Sequence, residues 1–288
     1  MYPAKFDYFR AASVEEAVAL LHRHREAKVL AGGHSLLPIM KLRLAEPKAL
    51  IDIRHIHILR GISHHDHTLR IGALTTHAVI AASEVLRAEC PLLAEAAGHI
   101  GDPQVRNRGT VGGNIAHADP ASDLPAVLVA LGATVEMSGP SGTRKVAAAD
   151  FFTGLLETAA GEHDVLTAVE VPKMQGTNGT CYLKHEHPAS GYAICGAAAV
   201  IFMDRGDVCR EARLALGGVT ATPHLAAAVG AALKNSTLSD EDIDRAVDDN
   251  LAIDDPLGDL QASGEYRVEL ARVYGKRALK QARDRARS

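Results

Sequence analysis

Short apolar runs and helical apolar stripes alternate over the first half of this chain. Phe6-Asp7-Tyr8-Phe9 reads as a first short strand. Ser13-Val14-Glu15-Glu16 then matches a capping box, in which the Ser13 hydroxyl and the Glu16 carboxylate each satisfy an exposed N–H. Val14, Ala17, Val18 and Leu21 fall on one face of the helix that follows. Lys28-Val29-Leu30 and Ala49-Leu50-Ile51-Asp52-Ile53 are further strands, so residues 1–52 form a small βαβ unit. A second unit starts at the strand Leu69–Ala73, with Thr75 or Thr76 capping a helix near His77. Pro91–Ala97 is a helix with proline at its favoured start. Asp102–Arg108 is polar and turn-prone. A helix runs to about Leu131, and Thr134–Met137 and Val165–Val171 are strands.

The texture changes after Pro172. Gln175-Gly176-Thr177-Asn178-Gly179-Thr180 is a run of breakers that marks a domain boundary. Three strands follow, Thr180–His185, Ala193–Met203 and Arg210–Gly217, joined by loops near Ala189-Ser190-Gly191 and Asp204-Arg205-Gly206. Their lengths suit an antiparallel sheet. Three helices close the chain, at about Pro223–Leu233, Asp240–Asn250 and Gly264–Arg283. The pattern predicts an α+β protein in three parts: α/β subdomains at 1–54 and 55–174, and a sheet-plus-helix domain at 175–288.

Two glycine pairs interrupt this pattern. Val29-Leu30-Ala31-Gly32-Gly33-His34-Ser35 ends an apolar run in glycines and a hydroxyl, and Gly109-Thr110-Val111-Gly112-Gly113-Asn114 repeats the motif some eighty residues on. Both read as tight backbone turns. Glycine leaves no Cβ in the way of a bulky group, and successive exposed N–H groups form a concavity suited to anions. Taken singly, each is equally an ordinary connection between strands. Together they predict one ligand with two phosphates.

Composition narrows the classes. The 288 residues suffice for one large or two medium domains, and a hydrophobic fraction of 47% suits a protein that buries a core. No apolar run approaches the roughly 20 residues of a membrane span, and the N-terminus lacks the pattern of a secretory signal. A net charge of −4 and the absence of Trp argue against nucleic acid as a partner. Cys90, Cys181, Cys195 and Cys209 include no Cys-x-x-Cys pair, which speaks against a metal or iron–sulfur site. They read as reduced, mostly buried thiols of a cytoplasmic protein.

A dinucleotide-binding Rossmann turn is excluded. The Gly-x-Gly-x-x-Gly spacing is missing although Asp52 follows Gly32 by 20 positions, and Pro38 disfavours helix geometry at Leu37. No phosphate-binding Gly-x-x-x-x-Gly-Lys-[Ser/Thr] loop occurs either. His55, His57, His64, His65 and His67 cluster without companion ligands and read as a solvated loop rather than a metal site. His185 and His187 flank Glu186 at a strand end and read as exposed. Asp123 stands at a helix start, either as its cap or as an acceptor for a polyol or ribityl chain. Tyr192 is either core or an aromatic that lies against a cofactor ring.

These residues resemble a known family. Ala31-Gly32-Gly33-His34-Ser35-Leu36-Leu37-Pro38-Ile39-Met40-Lys41 is similar to the first flavin pyrophosphate loop of the FAD-binding subunits of molybdenum hydroxylases, and Thr110-Val111-Gly112-Gly113-Asn114, preceded by Asp102–Gly109, to the second. The likeness is closest to the medium subunits of aerobic carbon monoxide dehydrogenases and runs from Phe6-Asp7-Tyr8 to Gly264-Glu265-Tyr266-Arg267. It implies a PCMH-type FAD-binding domain of two α/β subdomains and a C-terminal domain of a three-stranded antiparallel sheet with a helical bundle. It also implies a large subunit with the molybdenum cofactor and a small one with two [2Fe–2S] clusters, assembled as a dimer of heterotrimers. The flavin passes electrons to an external acceptor. The protein is then cytoplasmic and reaches the inner face of the membrane through the complex.

Carried over residue by residue, the resemblance makes Ala31, Gly32, Gly33, His34 and Ser35, with Thr110, Gly112, Gly113 and Asn114, the pyrophosphate cradle. Asp123 falls on the ribityl or adenosine side. Ile100, Gly101, Leu166 and Lys184 fall where the family contacts flavin, and Tyr192 near the isoalloxazine ring. No residue is implied as catalytic and none as a metal ligand. The chain departs from the family's basic Lys-Arg-Lys-x-Gly-Asp-Tyr stretch, with Lys184-His185-Glu186-His187-Pro188-Ala189-Ser190-Gly191-Tyr192 in its place. That leaves relatives acting on N-heterocycles or aldehydes as an alternative. Two rivals lie outside this reading: a stand-alone flavin oxidase of the vanillyl-alcohol-oxidase type, for which the roughly 110 residues after Pro172 are few, and a flavin-free binding module.

Overall fold

The computed structural model describes residues 1–204 and 206–288. Arg205, in the expected loop Asp204-Arg205-Gly206, lies outside them. The first layer is a parallel sheet of β1 (Asp7–Arg10), β2 (Ala27–Leu30) and β3 (Ala49–Asp52) in the order β1-β3-β2. Helix α1 (Val14–Arg23) makes the β1–β2 crossover. Its N-cap Ser13 accepts from Glu16 N–H, while the Glu16 carboxylate takes the Ala12 N–H one residue before the cap.

Helix α2 (Leu36–Lys41) follows the first glycine pair. It contradicts the expectation that Pro38 breaks the helix at Leu37. Pro38 is the third helical residue, where the backbone N–H has no intrahelical acceptor to lose. Exclusion of a Rossmann turn therefore rests on the glycine spacing alone.

The second layer is a five-stranded sheet, ordered β4-β5-β10-β6-β7. Its first strands are β4 (Ile62–His65) and β5 (Thr68–Gly72). Helices α3 (His77–Ala82), α4 (Glu84–Glu89), α5 (Pro91–Gly98), α6 (Pro103–Arg108), α7 (Val111–His117) and α8 (Asp123–Leu131) come next, then β6 (Thr134–Gly139) and β7 (Gly142–Ala147). After α9 (Ala148–Phe151) and a small hairpin of β8 (Phe152–Gly154) and β9 (Glu157–Thr158), the strand β10 (Val165–Pro172) returns to the sheet centre. Helix α8 is buried along its whole length, from Asp123 through Leu131. His64 and His65 belong to β4, so the histidine cluster is only partly the loop expected from sequence.

Two more expectations fail here. Asp102–Arg108 is not a loop: Asp102 caps α6 by accepting the Val105 N–H at 2.8 Å. The second glycine pair is not a turn either. Thr110 caps α7, and Gly112 and Gly113 lie in its first turn.

The third layer contains β11 (Asn178–Glu186), β12 (Ala193–Asp204) and β13 (Val208–Gly217) as the expected antiparallel strands. A two-residue β14 (His224–Leu225) adds to β13, so the sheet has four strands, not three. It takes residues expected to begin a helix, which starts later as α10 (Ala227–Leu233). Helix α11 (Asp240–Asn250) has the expected bounds, and α12 (Gly264–Arg287) runs to the chain end. Helix α12 covers β11 and β12, and buried Arg267 joins it to the sheet by donating to the Ile194 and Gly218 carbonyls. All four cysteines are free and buried. Burial pushes the Cys90, Cys181 and Cys195 thiols up to about 12, which keeps them protonated and unreactive.

Candidate functional site

The fold brings the two glycine segments together. A Cβ added to Gly32 would run into the Arg108 carbonyl and Gly109, so only glycine lets the first segment rest on the start of the second. A Cβ added to Gly113 would point back at Ala31, 3.8 Å from its Cβ, and lie 2.9 Å from the Thr110 hydroxyl oxygen. Gly33 takes a φ of +77°, which turns the chain from β2 into α2.

The segments differ in what they offer. In the second, every N–H from Val111 to Asn114 has a protein acceptor: the Thr75 and Ala73 carbonyls, the Thr110 hydroxyl and the Thr110 carbonyl. It therefore presents side chains, and Asn114 Oδ1 is buried with no partner among the described residues. In the first, the N–H groups of Gly32, Gly33, His34 and Ser35 find no protein acceptor among the described residues. The Ser35 hydroxyl makes no cap bond. His34 is exposed. A row of free donors beside a hydroxyl can receive a phosphate oxyanion without a lysine, whereas Asn114 Oδ1, an acceptor, suits a hydroxyl donor of the same ligand.

A second cluster lies at the other end of α6, whose six residues span about 9 Å. Burial pushes the Asp123 carboxyl up, and Lys184 and Tyr182 oppose that. The Tyr182 hydroxyl donates to Asp123 Oδ1 at 2.6 Å. Lys184 Nζ lies 3.1 Å from the same carboxylate and donates to the His99 carbonyl at 2.7 Å and the Gly191 carbonyl at 2.8 Å. The helix cap is Ser122, so Asp123 is not the cap that the sequence offered as one reading. Lys184, with all three protons engaged, holds the segment before Tyr192 and is not free to donate outward.

Ile100 is buried, Gly101 takes a φ of +45°, and a Cβ added to Gly191 would lie 3.8 Å from the Gly101 Cα. Tyr192 is 46% exposed, which sets aside the core reading. Burial and the carboxylates of Asp119 and Asp123 raise its hydroxyl pKa. Leu166, buried on β10, adjoins Thr167, whose carbonyl accepts the Ala73 N–H, and the Ala73 carbonyl accepts from Gly112. The second segment is thus wired to the sheet centre.

Three contributors were not singled out from the sequence. Tyr182 shares a strand face with Lys184 by the period of two, a signal that was available. Arg106 donates to the Ile100 and Gly101 carbonyls and fixes that bend. His77 is buried under Gly109, where a Cβ would come within 2.9 Å of its Nε2. Burial and Arg106 lower its pKa to about 4, so it is neutral. Nothing local in the sequence announces either of these last two roles.

Residues 4–174 match the family described as the FAD binding domain in molybdopterin dehydrogenase, and residues 181–282 match the carbon monoxide dehydrogenase flavoprotein C-terminal domain. The chain is 41% identical to the carbon monoxide dehydrogenase medium chain of Afipia carboxidovorans, over 100% of each chain. It is 37% identical to the glyceraldehyde dehydrogenase medium chain of Sulfolobus acidocaldarius, over 98% of this chain and 99% of the relative. Among solved structures, it superimposes on a chain of carbon monoxide dehydrogenase from Hydrogenophaga pseudoflava lacking the Mo-pyranopterin moiety of its molybdenum cofactor. The TM-score is 0.96 at 43% identity, covering 99% of both chains.

Proposed function

The chain belongs to the medium, FAD-binding subunits of carbon monoxide dehydrogenase and related molybdenum hydroxylases, and from that membership we propose that it relays electrons in aerobic carbon monoxide oxidation. On this reading they arrive from the [2Fe–2S] clusters of a small partner subunit, after a large molybdenum-cofactor subunit has oxidised the substrate. They leave to an external acceptor.

The observation that carries the reading is the row of N–H groups from Gly32 to Ser35 with no protein acceptor among the described residues, set against Gly113 at the start of the second segment. A diphosphate fits these donors. Gly32, Gly33, His34 and Ser35 would bind it through N–H groups, with the Ser35 and Thr110 hydroxyls and Asn114 beside them. FAD, when bound, supplies the redox chemistry, and the protein supplies binding, orientation and electrostatics. Tyr192 would lie against the ring with its hydroxyl protonated. Asp123, Lys184 and Tyr182 would set the position of the segment that carries it, and Ile100, Gly101 and Leu166 would shape the walls.

The four sheets support the division at 1–54, 55–174 and 175–288, since each stays within one part. Among the described residues no helix is long and apolar enough to cross a membrane. That suits a cytoplasmic location, with any approach to the membrane made through the assembled dimer of heterotrimers.

The glyceraldehyde dehydrogenase relative and the altered Lys184–Tyr192 stretch favour a second reading, in which the large subunit hydroxylates an aldehyde or an N-heterocycle. Purification of the complex with its partner subunits decides between them. Carbon monoxide bleaches the flavin on the first reading, and an aldehyde or N-heterocycle does so on the second. A complex without flavin overturns both.

A further inference from the structure

The histidine cluster noted in the sequence divides in the fold, and one part faces a cleft. A cavity of about 400 Å³ is lined by Arg10, Ala11, Ala12, His55 and His57. It lies beyond the carboxyl ends of β1 and β3, the edge at which parallel α/β sheets take ligands, and its size falls in the range of small-molecule pockets. One to two strand spacings, about 5 to 10 Å, separate it from the end of β2, which carries the first glycine pair.

The lining is set by one guanidinium and two imidazoles. Arg10, His55 and His57 are exposed, and among the described residues none of their side chains has a hydrogen bond or an ion pair. Arg54 and Arg60 stand behind them. Arg54 is spent on the buried Asp52, and Arg60 donates to the Arg54 carbonyl. The acidic groups nearby are engaged: Asp52 with Arg54 and Tyr8, and Glu16 with the Ala12 N–H at the rim. Among the described residues no group of three or more His, Cys, Asp or Glu could hold a metal ion. An unpaired guanidinium and two imidazoles converging on one cavity suit a tetrahedral oxyanion, not a cation.

We propose that this cleft binds a phosphate-class oxyanion, free or carried on a small molecule, at a site separate from the glycine segments. The test uses the full chain loaded with FAD, so that the glycine segments are filled, in phosphate-free buffer. Inorganic phosphate and AMP are titrated by calorimetry, and the imidazole signals of ¹³C-labelled His55 and His57 are followed in parallel. One equivalent is expected to bind and shift both imidazoles. Arg10→Ala and the double variant His55→Asn/His57→Asn should each weaken binding at least tenfold with melting temperature and flavin content unchanged, and Arg10→Lys should recover part of it. Tighter binding of AMP than of phosphate assigns a phosphomonoester, and equal binding assigns free phosphate. No binding of either, or binding untouched by all three variants, overturns the proposal. A chain that holds no flavin bears on the reading of the glycine segments instead, and the titration is then run on a Gly113→Val background.

Discussion

Lys184 Nζ lies 3.1 Å from Asp123 Oδ1, with the two side chains only 2% and 6% exposed. The pair joins β11 to the first turn of α8. Through the Gly191 and His99 carbonyls it also ties the Tyr192 segment to the end of α5. Removing one partner strands the other in a buried site. Lys184→Met should destabilise the protein by about 3 to 5 kcal/mol, read by denaturant unfolding. If FAD occupancy in the folded variant stays complete, the positioning role of Lys184 is wrong.

The glycine segments make a separable prediction. Gly33→Val forces a β-branched residue into φ +77°, and Gly113→Val drives a side chain into the Thr110 hydroxyl and the gap facing Ala31. Both variants should purify without flavin. Gly98→Ala, at a helix end with open space around it, should keep full flavin and match or exceed the parent in stability.

Acid should loosen this region in two stages. The folded pKa of His77 is depressed to about 4 from 6.5, so the unfolded chain takes up the proton first and stability falls as pH drops from about 6.5 to 4. At 1.36 kcal/mol per unit, that is about 3 kcal/mol. Asp52, lowered to about 2 by Arg54 and Tyr8 against its burial, contributes stability that is lost only below about 3.8. His77→Phe should abolish the first stage and leave the second, measured as melting temperature against pH. An unchanged first stage would assign it to another group.

Buried Arg267 offers a control away from the cofactor site. It donates to two carbonyls and to Asp259 at 2.7 Å. Arg267→Met should lower the melting temperature by several degrees, since it leaves buried carbonyls unpaired, while flavin content at low temperature stays near that of the parent.

Much of this was legible in the sequence where a local rule decides the structure. The Ser13 cap, the helix start at Pro91, the α11 bounds and the long antiparallel strands after Pro172 all follow from capping chemistry or apolar pattern. Elements set by short-range polar contacts were misread. Asp102–Arg108 is polar enough for a loop, yet one Asp102 bond and a proline at the first position make it helical. Pro38 looked like a breaker only because its place in the first turn was hidden. At the site, the glycine pairs were visible as motifs, but their asymmetry was not. The first two α7 N–H groups, of Val111 and Gly112, are consumed by the Thr75 and Ala73 carbonyls, about forty positions away, and no local pattern reports that. The same holds for the buried neutrality of His77.

The most direct test of the central claim is the visible spectrum of the purified complex before and after anaerobic addition of carbon monoxide, for the parent chain and for Gly113→Val. A bound flavin that bleaches in the parent, and a complex that assembles without flavin and passes no electrons to an external dye in the variant, is the predicted result. A parent complex without flavin, or a Gly113→Val complex that keeps its flavin and its electron transfer, would contradict it.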